Sequence, residues 1–446
     1  MFARAVLAAS LGLGLLSSAL HADPMSDALE MIEECRAKAC SSLSLGRVKD
    51  LATLPPETLT LTSVQNLNLG RSAITDISAL RKMPWLRSLD LSKMELADLS
   101  PVTDLKALER LVLYDTPITD ISALAGMTWL RDLDLSSSSV ADLGPVAGMT
   151  GLQRLSLQRM DVDGLSLAPV SGLGGLRVLW LAGSDFSDLT PLTGLFALQE
   201  LSLVDTDVTD LLPLAGLRGL TDLDLARTDV TSLRPLAGLS ALRKLSLSHS
   251  EVTDLSPLTG LTGMTWLELQ DCEITDLSPL AGMTAMQSLR LDRSEVSDLT
   301  PVAGMLGLEN LSFDRTAVAD LTPLAGFAGL ENLSLEETKV TDLSALAGIG
   351  NLRQLSIGNT AISDISALAG LPYLRNLQAN GAPIADISAL AGKTELSRIT
   401  LSRSKVTDLT PLMGLEKLKD LTLEDVTLAD EGQIGMLEAK GVKVRR

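Results

Sequence analysis

Residues 198–219 read LQELSLVDTDVTDLLPLAGLRG. Leu198, Leu201 and Leu203 open this stretch in the order Leu-x-x-Leu-x-Leu. The same pattern returns at Leu108, Leu111 and Leu113, at Leu242, Leu245 and Leu247, and at Leu330, Leu333 and Leu335. Seventeen copies run from Val64 to Leu423 with a spacing of 22 residues. A fixed period of this length signals a solenoid, in which each unit stacks only on its neighbours. Positions 1, 4 and 6 of each unit point inward. Positions 2, 3, 5, 7 and 8 are expected to be exposed around a short strand, giving seventeen parallel strands. At about 4.8 Å per strand, sixteen steps make an arc of roughly 75–80 Å, long enough to hold a whole protein. The rest of each unit reads Asp-Leu-Ser/Thr-Pro/Ala-Leu-x-Gly-Leu. Asp or Ser can cap a brief turn, Pro suits its first positions, and Gly ends it. Short 3-10 or turn structure is therefore expected on the convex side.

The full unit also carries Thr206, Val208, Thr209, Asp210, Leu211, Pro213, Leu214, Gly216 and Leu217 at fixed places. In this it resembles the bacterial leucine-rich repeat of the internalin-like kind, over about four-fifths of the chain. The resemblance implies an α/β fold: a right-handed leucine-rich-repeat solenoid, with a parallel sheet on the concave side and short turns or 3-10 helices on the convex side. It implies a bacterial source and a binding role, and it names no ligand. One departure stands out. Internalins place Asn at the ninth position, whereas this chain has Thr or Ser in twelve units and Met94, Met160, Cys272, Ala382 or Val426 in the others. A hydroxyl can bond backbone between turns, but as a weaker, interrupted ladder.

The chain of 446 residues would ordinarily divide into two or three globular domains; the repeat makes it one elongated domain. Aromatic residues are only 2%, as a narrow coil filled by Leu, Val and Ile requires. A net charge of −19 argues against nucleic acid and against docking on anionic lipid. It favours a soluble monomer. Residues 1–22 read as a secretory signal peptide: Arg4, an apolar run from Val6 to Leu16, and small residues before Asp23. The run is short for a membrane span. No stable membrane insertion is expected after cleavage, and the mature protein should be secreted or periplasmic.

Residues 23–63 read as an N-terminal helical cap, 64–429 as the repeat array and 430–446 as a C-terminal cap. A helix is expected over Ser26–Ala39, capped by Ser26 or Asp27, with Leu29, Ile32 and Ala39 inward. Cys35 and Cys40 are a candidate disulfide, which needs the helix to end between them because helical residues five apart face different ways. Cys272 should be a buried free thiol in place of Thr or Ser. Pro145 and Pro169 stand 24 residues apart, so two residues are inserted within Asp163–Ala168, a bulge for the convex side. Ile434 and Leu437 would close the far end, with Val442 and Val444 on a last edge strand.

Candidate chemistry is sparse. His249 is the one histidine after residue 22, too little chain flanks the array for a catalytic domain, and no phosphate loop or Cys/His metal cluster occurs. The reading is a non-enzymatic protein without cofactor. Asp occupies position 13 in fifteen of the seventeen units. Carboxylates about 5 Å apart repel by roughly 0.8 kcal/mol even in water. A calcium ladder could offset this, but each turn offers one carboxylate where calcium needs several oxygens. Acceptance of backbone N–H bonds, about 1.5–3 kcal/mol when charge-assisted, is the preferred account. On the concave face, Val178, Trp180, Ala182, Val204 and Ala226 interrupt a run of polar residues, with Val112 and Tyr114 three units earlier and Trp266 further along. Exposed aromatics beside charged residues match the composition of binding hot spots. These eight are the candidate partner-binding residues. Arg290, Asp292, Arg293, Asp314, Arg315, Glu336 and Glu337 form a second candidate, read as a solvated face. The expected partner is another protein, with a surface glycan as the alternative ligand and a structural spacer as the alternative role.

Overall fold

A computed structural model describes residues 23–162 and 164–446. The segment read as a signal peptide and Asp163 lie outside the described residues.

The chain winds as a solenoid around one continuous apolar core. Each turn contributes a three-residue strand, and every strand pairs in parallel with the next one in sequence. Among the described residues the sheet has nineteen strands, not seventeen. The two extra strands lie in the flanking segments. Ser42–Ser44 pairs with Asn66–Asn68, and Lys443–Arg445 pairs with Asp420–Thr422. Leu43 and Leu45 continue the leucine columns one turn below Val64, so the array starts within the segment read as a cap.

Positions 1, 4 and 6 are buried throughout; Leu242, Leu245 and Leu247 have no exposure. Positions 5 and 7 differ from expectation. Most are half-buried, because parallel neighbours on both sides flank each side chain. Position 8 carries a feature that the pattern did not announce. All seventeen residues there have positive φ, and only Gly183 and Gly381 are glycine. This conformation turns the chain off the sheet and aims the position-8 N–H at the next turn. Arg71 N donates to Ser92 O at 2.8 Å, and Arg227 N to Ser248 O at 2.8 Å. The position-9 side chain then enters the coil.

The hydroxyls at position 9 mostly bond within their own turn. Thr206 Oγ1 donates to Leu203 O at 2.7 Å and Thr360 Oγ1 to Ile357 O at 2.7 Å. A hydroxyl is too short to bridge turns in most units, which corrects the expected inter-turn ladder. Ser184 and Cys272 do bridge: Ser184 Oγ donates to Leu157 O, and Cys272 Sγ reaches Leu247 O at 3.0 Å. Cys272 is a buried free thiol, and burial pushes its pKa up.

On the convex side most turns are a single 3-10 segment such as Ser256–Leu258, preceded by the position-13 Asp. All fifteen of these carboxylates accept the backbone N–H two residues on, as Asp76 does from Ser78 N at 2.8 Å and Asp408 from Thr410 N at 2.9 Å. In the unit with the insertion, Ser166 Oγ takes over and accepts from Ala168 N. The strands on either side keep their register, Arg154 opposite Val178, so the sheet passes the insertion undisturbed.

Helix α1 (Pro24–Lys38) seals the first turn. It starts two residues before the expected Ser26, because the Asp23 carboxylate accepts from Met25 N and Pro24 fits the first helical position. Ala28, Ile32 and Cys35 face the core at helical spacing; Leu29 is half-buried. Ala39 is exposed, not inward, since it ends the helix in a left-handed conformation. That turn brings Cys40 back to Cys35, to which it is bonded. Helix α2 (Gly432–Ala439) covers the far end with Leu437 buried and Ile434 half-buried.

One core position carries a charge. Lys393 takes the place of a core leucine, and its ammonium donates to Ala369 O and, at 2.9 Å, to Leu371 O. Burial alone lowers its pKa.

Two outcomes test this account. Leu245→Ala should cost about 2–5 kcal/mol by chemical denaturation, as a buried truncation; Gln354→Ala, on an exposed strand position, should change the midpoint little. The second concerns the Asp row. Backbone and side-chain donors from Ser78 and Ser366 hold Asp76 and Asp364 below the usual carboxylate range. Stability from such groups is present above the unfolded value of about 3.9 and is lost as pH falls through the lower folded values. Melting temperature should therefore drop below about pH 4, and less steeply in Asp364→Ala, while millimolar calcium or chelator leaves it unmoved. A calcium-dependent rise would overturn the capping role.

Candidate protein-binding groove

Two side-chain columns form the middle of the concave face. Position 3 contributes Val178, Glu200, Asp222, Lys244 and Trp266 on successive strands; position 5 contributes Trp180, Ser202, Asp224, Ser246 and Glu268. The two tryptophans stand at diagonally opposite ends. Ser202 and Ser246 are short, so the surface between the rings sinks into a groove of about 430 Å³. Trp180 and Trp266 lie four strands apart, roughly 19 Å. That length matches about six residues of extended chain.

The groove's polar groups are tied together. Trp180 Nε1 donates to Glu200 Oε1 at 2.8 Å, which fixes the ring across the strand boundary. Lys244 pairs with Asp222 at 2.8 Å. Ser246 donates to Glu268 at 3.2 Å. Trp266 is 36% exposed, with the Arg290 guanidinium 6.0 Å from its ring centre. Asp224 accepts from Ala226 N at 3.1 Å. Its pKa is nonetheless raised, by burial first and by the nearby Glu268 charge as well.

The sequence candidates separate in space. Trp180 and Trp266, read as lying apart along the concave face, share one groove. Val178 sits beside Trp180, half-buried. Ala182, Val204 and Ala226 occupy position 7 of three adjacent turns and make a half-buried apolar strip alongside the groove rather than in it. Tyr114 is remote: it lines a shallow basin near the N-terminal end with Arg47, Arg71 and Lys93, its ring under the Lys93 ammonium at 5.2 Å. Val112 is not an exposed contact. It is 8% accessible, since Asp90 and Asp134 stand on the strands at either side and cover it. Glu200, Asp222, Asp224, Lys244 and Glu268 were passed over because each, taken singly, reads as an ordinary charge on a solvated strand. Stacking the sequence at its period of 22 would have found them, as it places all five in two columns between the tryptophans.

The charged block lies further along. Arg293 pairs with Asp271 at 2.5 Å and Arg315 with Glu337 at 3.0 Å. These exposed pairs satisfy one another between turns. His249 is exposed, 3.5 Å from Asp271. No group of three or more metal-ligating side chains occurs among the described residues.

A leucine-rich-repeat protein of Leptospira interrogans superposes with a TM-score of 0.63 at 19% identity, over 93% of this chain and 98% of its own. With the 22-residue unit already in hand, this establishes the fold. The chain is a leucine-rich-repeat solenoid. A plant peptide hormone receptor in complex with RGF2 has the same fold, with a TM-score of 0.61 at 16% identity over 91% of this chain and 77% of the receptor. An internalin of Listeria monocytogenes aligns at 26% identity over 89% of this chain and 94% of its own, with a TM-score of 0.48. No family model matches the sequence, and no curated protein does. No helix among the described residues is long and apolar enough to cross a membrane.

Proposed function

We propose that this leucine-rich-repeat protein is an exported, non-enzymatic binding scaffold that grips a partner protein along its concave sheet. The observation that carries the reading is the groove between Trp180 and Trp266. The inward leucines already supply the core, so two tryptophans held at the rim add little to the fold. Covered by a partner, apolar area there contributes about 25 cal/mol per Å² before association costs are met. The 2.8 Å bond from Trp180 to Glu200 holds the ring in place beforehand, so binding loses less side-chain freedom. The solenoid of the plant receptor, described as a complex with RGF2, is consistent with such use of the fold. Export rests on the signal-like segment 1–22 and agrees with the Cys35–Cys40 bond, which suits an oxidising compartment.

The test compares wild-type chain with Trp180→Ala and Trp266→Ala as baits, identifying proteins whose capture depends on the rings. Each substitution should weaken a ring-dependent partner at least tenfold and move the melting temperature by only a few degrees. Gln354→Ala, outside the groove, should retain binding. If the tryptophan variants lose stability sharply and keep the same partners, the rings are packing and the reading fails. If capture is indifferent to every concave substitution, the protein acts as a spacer.

A further inference from the structure

We infer that the groove is selective for a basic extended segment, with a Lys or Arg side chain of the partner seated on Asp224 and Glu200 beside the Trp180 ring. This rests on the groove being the binding site and names the chemistry it selects. The floor carries four carboxylates and one ammonium. Lys244 is spent on Asp222 at 2.8 Å. Glu268 has only the looser Arg290 pair at 3.8 Å, on the outer side of the groove. Among the described residues, no Lys or Arg lies within ion-pair distance of Glu200 or Asp224.

Asp224 is the telling group. It is half-buried at the centre of the floor, between two serines, with Glu268 two strands away. Burial of a charge without a counter-charge disfavours the fold. Elsewhere on the array the largely buried Asp132 is met by Arg110 at 2.6 Å and Arg154 at 3.0 Å from the adjacent turns. Asp224 has Ser202 and Ser246 in the corresponding places. Asp90 and Asp134, in Asp224's own column, also have no ion pair among the described residues, but only Asp224 lies in the groove between the tryptophans, where the serines leave open space beside it. A guanidinium or ammonium from a partner fits that space. The Trp180 face beside it adds cation–π attraction. An uncharged sugar fills the volume but leaves the carboxylates unpaired. The net charge of −19 steers a basic segment inward, and the two uncompensated carboxylates give it a place to stop.

The experiment measures fluorescence anisotropy of three labelled hexapeptides, one arginine-rich, one glutamate-rich and one of glycine and serine, together with an uncharged hexasaccharide. The arginine peptide should bind at least tenfold more tightly than the others. Asp224→Asn with Glu200→Gln should weaken it at least tenfold; the amide oxygen introduced by Glu200→Gln can still accept the Trp180 bond. Glu251→Gln with Glu273→Gln removes the same charge from exposed positions outside the groove and should change binding less than twofold. Since Asp224 is an uncompensated charge, the groove variant should melt no lower than wild type. Equal losses in the two charge variants would reduce the effect to general attraction by an acidic surface and overturn the inference. So would a neutral peptide or sugar binding as tightly as the basic one. A ring-dependent partner that is lost in Trp180→Ala but bound unchanged by the groove charge variant would refute basic selectivity and leave the binding site standing.

Discussion

No turn of this coil can close on its own. A 22-residue unit holds three leucines that need covering on both sides and a three-residue strand whose hydrogen bonds all go to other turns. The left-handed residue at position 8 makes the stacking possible. It lifts the chain off the sheet, sends its own N–H to the next turn, and drops position 9 into the core. Strained backbone of this kind costs on the order of 1–3 kcal/mol per site. Three buried leucines per turn return about 1.5–3 kcal/mol each. The strain is therefore tolerated in every unit, even with Arg, Asp or His at the position, where glycine would relax it. Local preference yields to the coil because the coil's burial is larger.

The same demand explains the ends. A last turn has no neighbour to cover its leucines, so α1 and α2 lie across the two openings with Ile32 and Leu437 turned in. The final strand, Lys443–Arg445, is an exposed edge, and its basic residues discourage further strand addition. Extra strands appear inside both flanking segments for the same reason: a cap works best on a turn that continues the columns.

How much of this could be read from the chain follows from what repeats. Leu245 and Leu247 were legible because their spacing recurs seventeen times and only one packing suits it. The role of Asp76 and its counterparts was legible because neighbouring like charges need a donor at each turn. Helix α1 was placed two residues late, since Asp23 followed by Pro24 is as good a start as Ser26 and only the backbone decides between them. Position 8 was missed because its residues vary from Arg and Lys to Asp and Ser, with glycine in only two turns. Val112 was misjudged because strand alternation states which side a residue faces and not what stands beside it; Asp90 and Asp134, one turn away each, bury it. The groove was half legible. Its tryptophans stood out as rare residues, but their pairing needed two columns read together.

Aspartate shows most clearly how this array separates structure from function. On the convex side each Asp at position 13 is exposed and accepts a bond from its own turn; at Asp386 the Ser388 donors hold the carboxyl below its usual range. On the concave side an aspartate finds any counter-charge on an adjacent turn. Asp132 finds two arginines, and Asp222 finds Lys244. Asp224 has serines on both adjacent strands, the Ala226 N–H of its own turn and no Lys or Arg, and burial raises its pKa. Asp90 and Asp134, in the same column, also lack an ion pair among the described residues, each accepting a backbone N–H from its own turn. What sets Asp224 apart is its place in the groove between two tryptophans, where a partner's cation can supply the charge that no adjacent turn does.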